Sequence, residues 1–192
     1  HADWELESSL GAIEAKGAFQ AITQANWHGL LNTFTVTSTL DDGSAGTLRW
    51  AILQANGLAG IDTITFNISG AGPHVISIGS GGLGALPTIT EALLIDGWSE
   101  PDYAGTPVVV LEGSSAGAGA NGLTINASGV TVQGLVIRTF NGDGIHIAGG
   151  GGNIIRGNYI GTTNNGLSNS ANGDDGIEIS GTGGNLIGGL TL

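Results

Sequence analysis

The sequence contains no cysteine. Disulfides, thiolate metal sites and cysteine nucleophiles are therefore excluded together. Methionine is absent as well, so His1 is not a translational start and the chain is expected to be a processed or excised part of something longer. Basic side chains are scarce: Lys16, Arg49, Arg138 and Arg156 stand against 16 carboxylates, a formal charge of −12. That balance repels nucleic acid and anionic lipid and leaves small cations as the natural partners. No apolar run approaches the ~18 residues of a membrane span, so none is expected.

Charged residues are only 10% of the chain, and 37 of its 192 residues are glycine. At 40% hydrophobic content it is too apolar for disorder, and its glycines lack the triplet period and proline that collagen requires. A single domain of this length can bury a core of its own.

Texture changes along the chain. Residues 1–31 open with the alternating Trp4-Glu5-Leu6-Glu7-Ser8 and continue with Phe19, Ile22 and Leu30 at near-helical spacing, so a short strand followed by a helix is expected there. Residues 33–39 alternate and are β-branched, which predicts a strand ended by Asp41-Asp42-Gly43. Leu48, Ile52 and Leu53 share a helical face, with Gly57 as the stop. Beyond Ile61 the chain turns to short β-branched runs punctuated by Gly, Asn and Pro. Three units follow: an arm (1–31), a cap (32–60) and a repeat region (61–192).

The last third carries an internal repeat. Gly122-Leu123-Thr124-Ile125, Gly144-Ile145-His146-Ile147 and Gly176-Ile177-Glu178-Ile179 share one pattern. Matched second elements follow them at Val130, Asn153 and Asn185. The two spacings are 22 and 32 residues, the longer one accommodating a Gly/Asn/Ser-rich loop at 161–171. A period in the twenties, short strands and glycine corners predict an all-β fold, a right-handed parallel β-helix or β-solenoid. Leu123/Ile125, Ile145/Ile147 and Ile177/Ile179 then stack inward, while Thr124, His146 and Glu178 face solvent. Scarcity of charge follows, because stacked layers set like charges over one another.

Thr35-Val36-Thr37-Ser38-Thr39, Gly46-Thr47-Leu48-Arg49-Trp50-Ala51-Ile52, Leu86-Pro87-Thr88-Ile89-Thr90, Ile95-Asp96-Gly97 and Asn185-Leu186-Ile187-Gly188-Gly189 resemble segments of large secreted bacterial right-handed β-helix repeat proteins. Those are surface proteins of adhesin type whose amino-terminal cap carries Leu-Arg-x-Ala-Ile. The likeness covers about 33–192; residues 1–31 resemble the end of a domain that precedes such repeats in giant surface proteins. It implies secretion to the extracellular space or cell surface and adhesive or matrix roles. It implies no one chemistry, since the fold also carries pectin-degrading enzymes.

Asn121, Asp143 and Asp175 fall on one line before the Gly-x-x-Ile units, with Asp174 beside them. The pattern reads first as a polar corner ladder. Its alternatives are a Ca²⁺ site on Asp143, Asp174 and Asp175, the only cofactor expected, or a paired-carboxylate hydrolase site. Pectinase-like enzymes also carry Gly-His-Gly and Arg-x-Lys, absent from this sequence, so no enzyme is expected. His74 and His146 read as isolated solvent-facing histidines. Leu186, Ile187, Leu190 and Leu192 end the chain on an apolar note. With Trp4, Leu6, Phe19 and Ile22 they form the expected assembly surface of a structural subunit. That subunit would stack head to tail, copy on copy, into an extracellular filament or adhesin. The alternative is a polysaccharide-binding or polysaccharide-cleaving protein. The four Trp all precede the clear repeats, which leaves a glycan surface there few aromatic platforms.

Overall fold

The computed structural model describes residues 31–181 and 183–189. The expected strand and helix within 1–30, and the assembly residues Trp4, Leu6, Phe19, Ile22, Leu190 and Leu192, lie outside the described residues. In chain order the elements are β1 (Thr33–Val36), α1 (Leu48–Asn56), β2 (Asp62–Phe66), β3 (His74–Ser77), β4 (Leu93–Asp96), β5 (Val109–Glu112), β6 (Leu123–Asn126), β7 (Thr131–Gln133), β8 (Leu135–Arg138), β9 (Ile145–Gly149), β10 (Ile154–Arg156), β11 (Tyr159–Ile160), β12 (Ile177–Ile179) and β13 (Leu186–Ile187). A single 3₁₀ turn, Gly97–Ser99, follows β4.

The expectation of an all-β, single right-handed parallel β-helix is corrected by this arrangement. Among the described residues 13 strands divide into three separate parallel sheets, ordered β1-β2-β4-β7-β10-β13, β11-β8-β5-β3 and β12-β9-β6, and one helix packs with them. By its elements the fold is nearer an α/β-type parallel-sheet arrangement than one solenoid. The physical reason lies in the corners. Glycines break each repeat into strands of two to five residues, and ladder hydrogen bonds run only between strands of one face. The hydrophobic period identifies which residues stack, but not how the faces divide.

Register runs through each sheet, with one shift in the third, where Ile125 pairs with Ile147 but Asn126 with Gly149. Phe34, Ile64, Ile95, Val132, Ile155 and Ile187 align across the six-stranded sheet. Ile76, Leu111, Ile137 and Ile160 do so across the second. In the third, Ile125 pairs with Ile147 and Ile147 with Ile179, while Ile89 bridges to Ile125. Members from Ile64 to Ile147 are fully buried in one core cluster; each aliphatic side chain so buried contributes about 1.5–3 kcal/mol.

Helix α1 covers the β1 side of this core with Leu48, Ala51, Ile52 and Ala55. Thr47 caps it, its hydroxyl accepting from Trp50 N–H at 3.2 Å. That satisfies one of the donors a helix start leaves free. Phe34 meets Trp50 edge to face at 5.8 Å. Asn56 fastens the far end, donating to Thr88 O at 2.7 Å and accepting from Thr90 N at 2.9 Å. The opposite side of the sheets ends in β11, β12 and β13, where Ile179, Leu186 and Ile187 are exposed by 45%, 53% and 44%.

Candidate functional site

The line Asn121, Asp143, Asp175 forms a corner between successive layers of the third sheet. Asp143 N–H donates to Asn121 Oδ1 at 2.8 Å, and Asp175 N–H donates to Asp143 Oδ1 at 3.0 Å. The main chain runs alongside, with Gly122 N–H on Asp143 O and Gly144 N–H on Asp175 O, both at 2.9 Å. Glycine is required next to this ladder: a Cβ on Gly142 would overlap Asn121 Oδ1, and one on Gly144 would press on Ile160. Asp143 is buried, whereas Asp174 and Asp175 are exposed. Each polar side chain thus receives the N–H of the layer above. Asp175 is the last member, and among the described residues its carboxylate accepts no hydrogen bond.

His146 projects from β9 toward this corner. Because Asn121 Oδ1 is held by Asp143 N–H, Asn121 Nδ2 is the atom facing His146 Nδ1, at 3.3 Å. Nδ1 is then the acceptor, and the ring proton is assigned to Nε2 from the network. That Nε2–H points at Ser180 Oγ, 2.8 Å away, with Glu178 Oε2 at 3.4 Å. The contact has the residue types of a nucleophile and its base but the wrong tautomer: a histidine that donates to serine cannot take its proton. Two groups bring ligand atoms within 4.8 Å of one another, Asp143/His146/Glu178 and Asp143/Asp174/Asp175, and either is an acidic set that could hold an ion. The expected calcium residues are therefore neighbours in space, joined by a histidine and a glutamate that the repeat pattern sets facing solvent.

The basic residues that lyase chemistry would need lie elsewhere. Arg156 donates from Nε and Nη2 to Gln133 Oε1, at 3.0 and 2.9 Å, and stacks 5.2 Å from the Trp98 ring centroid. Gln133 in turn donates to Asp96 Oδ1 at 2.8 Å. Asp96, Gln133 and Arg156 are one outward column of the six-stranded sheet. Neither Arg138 nor Arg156 is bonded to Asp143, Asp174 or Asp175.

His74, expected in solvent, is instead 5% exposed. Its Nε2 has no hydrogen-bond partner and lies 3.7 Å from Glu100 Oε1 and 3.5 Å from Asp102 Oδ2. The signal for its burial is present in the sequence: His74 is in phase with Ile76 and Ile78, both fully buried. At the Asp41-Asp42 turn, Asp42 accepts from Ser44 N and Oγ at 2.9 and 2.6 Å. The Ser44 hydroxyl, then its N–H, hold that carboxyl below its ordinary value.

Of the expected assembly residues, Leu186 and Ile187 are exposed on β13. Beside them a cavity of about 170 Å³ opens into the core between the sheets, lined chiefly by Ile155, Ile160, Ile177 and Ile187. No helix among the described residues is long and apolar enough to cross a membrane. No family model and no curated protein matches this chain.

Proposed function

We propose that the chain is a non-enzymatic structural subunit of an extracellular filament or surface adhesin. In this reading copies join head to tail through the sheet edges β11, β12 and β13. The observation that carries it is the asymmetry of the two sides. Helix α1 covers the core on the β1 side. On the other, β11, β12 and β13 are the last strands of their sheets among the described residues and stand beside an apolar opening, with Ile179, Leu186 and Ile187 exposed. Free edges with exposed aliphatics are templates for strand addition. Two unlike surfaces make a heterologous contact, which repeats into an open filament instead of closing as a dimer. The segment 1–31, with Trp4, Leu6, Phe19 and Ile22, serves as the arm that reaches the next copy. The extracellular setting is supported by the resemblance of 33–192 to secreted surface proteins.

The corner residues support the same role. A polar ladder satisfied from layer to layer by Asn121 and Asp143 is a scaffold device, and Asp175 presents an acceptor to one further N–H. Copies of charge −12 repel, so association strengthens as salt rises. The test replaces the exposed aliphatics, Ile179→Lys with Leu186→Lys, in the intact chain. The expected result is an unchanged circular-dichroism spectrum and loss of higher-order species in sedimentation. Assembly that persists in that double variant would sink the proposal.

A further inference from the structure

We infer that His74, Glu100 and Asp102 form a binding site for a divalent transition-metal cation of the zinc type, which staples β3 to the segment after β4. His74 Nε2 is buried, its side chain is 4% exposed, and it makes no hydrogen bond. A buried nitrogen left without a partner is costly. This one is aimed between two carboxylates, of which Glu100 is almost wholly buried. The distances from Nε2, 3.7 Å to Glu100 Oε1 and 3.5 Å to Asp102 Oδ2, exceed hydrogen-bond length. They approach the ~3.4 Å that separates neighbouring ligand atoms around a tetrahedral zinc with bonds of ~2.0–2.2 Å.

Both carboxylates are already oriented by the main chain. Glu100 Oε2 accepts from Ile68 N–H at 3.0 Å, and Asp102 Oδ2 accepts from Gly72 N–H at 2.7 Å. Such outer contacts are the usual support of metal-binding carboxylates. The three ligand atoms do not all lie within 4.8 Å of one another, as those of the two Asp143 groups do. Ion capture draws Asp102, whose side chain is 41% exposed, toward Glu100 in exchange for its Gly72 contact, with water completing the tetrahedron. A nitrogen ligand selects zinc-type cations over calcium, which prefers oxygen alone. At the His146 cluster both ring nitrogens already have partners, so the orphaned nitrogen distinguishes the two places.

The experiment uses the full chain, stripped with chelator and titrated with Zn²⁺ by calorimetry, and with Co²⁺ to read the visible bands of tetrahedral cobalt. The expected result is one Zn²⁺ per chain and cobalt bands. The dissociation constant rises at least tenfold in His74→Gln and in the surface variant Asp102→Asn, and is unchanged in His146→Gln. The Asp102 variant keeps the test open if His74→Gln fails to fold. Absence of Zn²⁺ binding, binding undisturbed by Asp102→Asn, or binding lost in His146→Gln alone would each overturn the assignment. So would stability that depends on pH through His74 and is indifferent to Zn²⁺, which would mean that a proton, and not an ion, sits between the histidine and the two carboxylates.

Discussion

Arg49 donates from Nε to Asp41 Oδ1 at 2.8 Å and from Nη2 to Asp41 Oδ2 at 2.7 Å, a bidentate pair almost wholly out of solvent. Two further guanidinium N–H groups go to Ala85 O and Gly84 O at 2.7 and 2.6 Å, while Asp41 Oδ2 also accepts from Gly79 N–H at 2.7 Å. One ion pair thus ties α1 to the turn before it and to two later segments.

Removing one partner of a buried, hydrogen-bonded ion pair leaves the other charge stranded and costs about 3–5 kcal/mol. Arg49→Ala is expected to lower stability by that order in urea unfolding. Arg49→Lys recovers only part of the loss, because an ammonium cannot copy the planar fork. Equal stability of Arg49→Ala and wild type would show that the pair does not fasten the helix.

The ladder makes a prediction about oxygen atoms and not about charge. Asp143→Asn keeps the acceptor for Asp175 N–H and matches Asn121 one layer below, so it should cost clearly less than Asp143→Ala. Asp143→Ala strands that N–H at a cost of about 1–3 kcal/mol. Neither variant changes the release of reducing ends from polygalacturonate, which is expected to be nil throughout. Release by the intact chain that vanishes in Asp143→Asn would reverse the non-enzymatic reading.

Ile147 is fully buried and pairs with Ile125 on one side and Ile179 on the other. Ile147→Asp places an uncompensated charge in the column and should cost more than about 4 kcal/mol. Ile179→Asp, at an exposed edge, should cost far less. Thermal unfolding of the two side by side measures the difference, and comparable losses would place both residues wrongly.

The Gly-x-x-Ile units state in the sequence which residues stack: Leu123, Ile145 and Ile177 align as their spacing requires. Helix α1 is legible because Gly57 ends an apolar face carrying Leu48 and Ile52, although Leu53, read on that face, is exposed. The division into three sheets is not, since it depends on backbone angles at corners such as Gly134 (φ 71°) and Gly157 (φ 61°), where any Cβ would also strike the Trp98 ring. The Asp143 line is legible as a ladder because its members recur one repeat apart. The stacking of Glu178 on His146 follows from the same repeat register, whereas the approach of Ser180 to the ring, two residues past Glu178, does not. Polarity alone puts His74 in solvent, whereas its phase with Ile76 puts it inside, and no local pattern ties it to Glu100 and Asp102.

Sedimentation of the intact 192-residue chain over a concentration series, with electron micrographs of the same samples, tests the assembly account most directly. The account predicts species that grow with concentration and salt into unbranched filaments, and that disappear when residues 1–31 are deleted while the β-rich circular-dichroism signal remains. A single monomer-sized species at every concentration would contradict it.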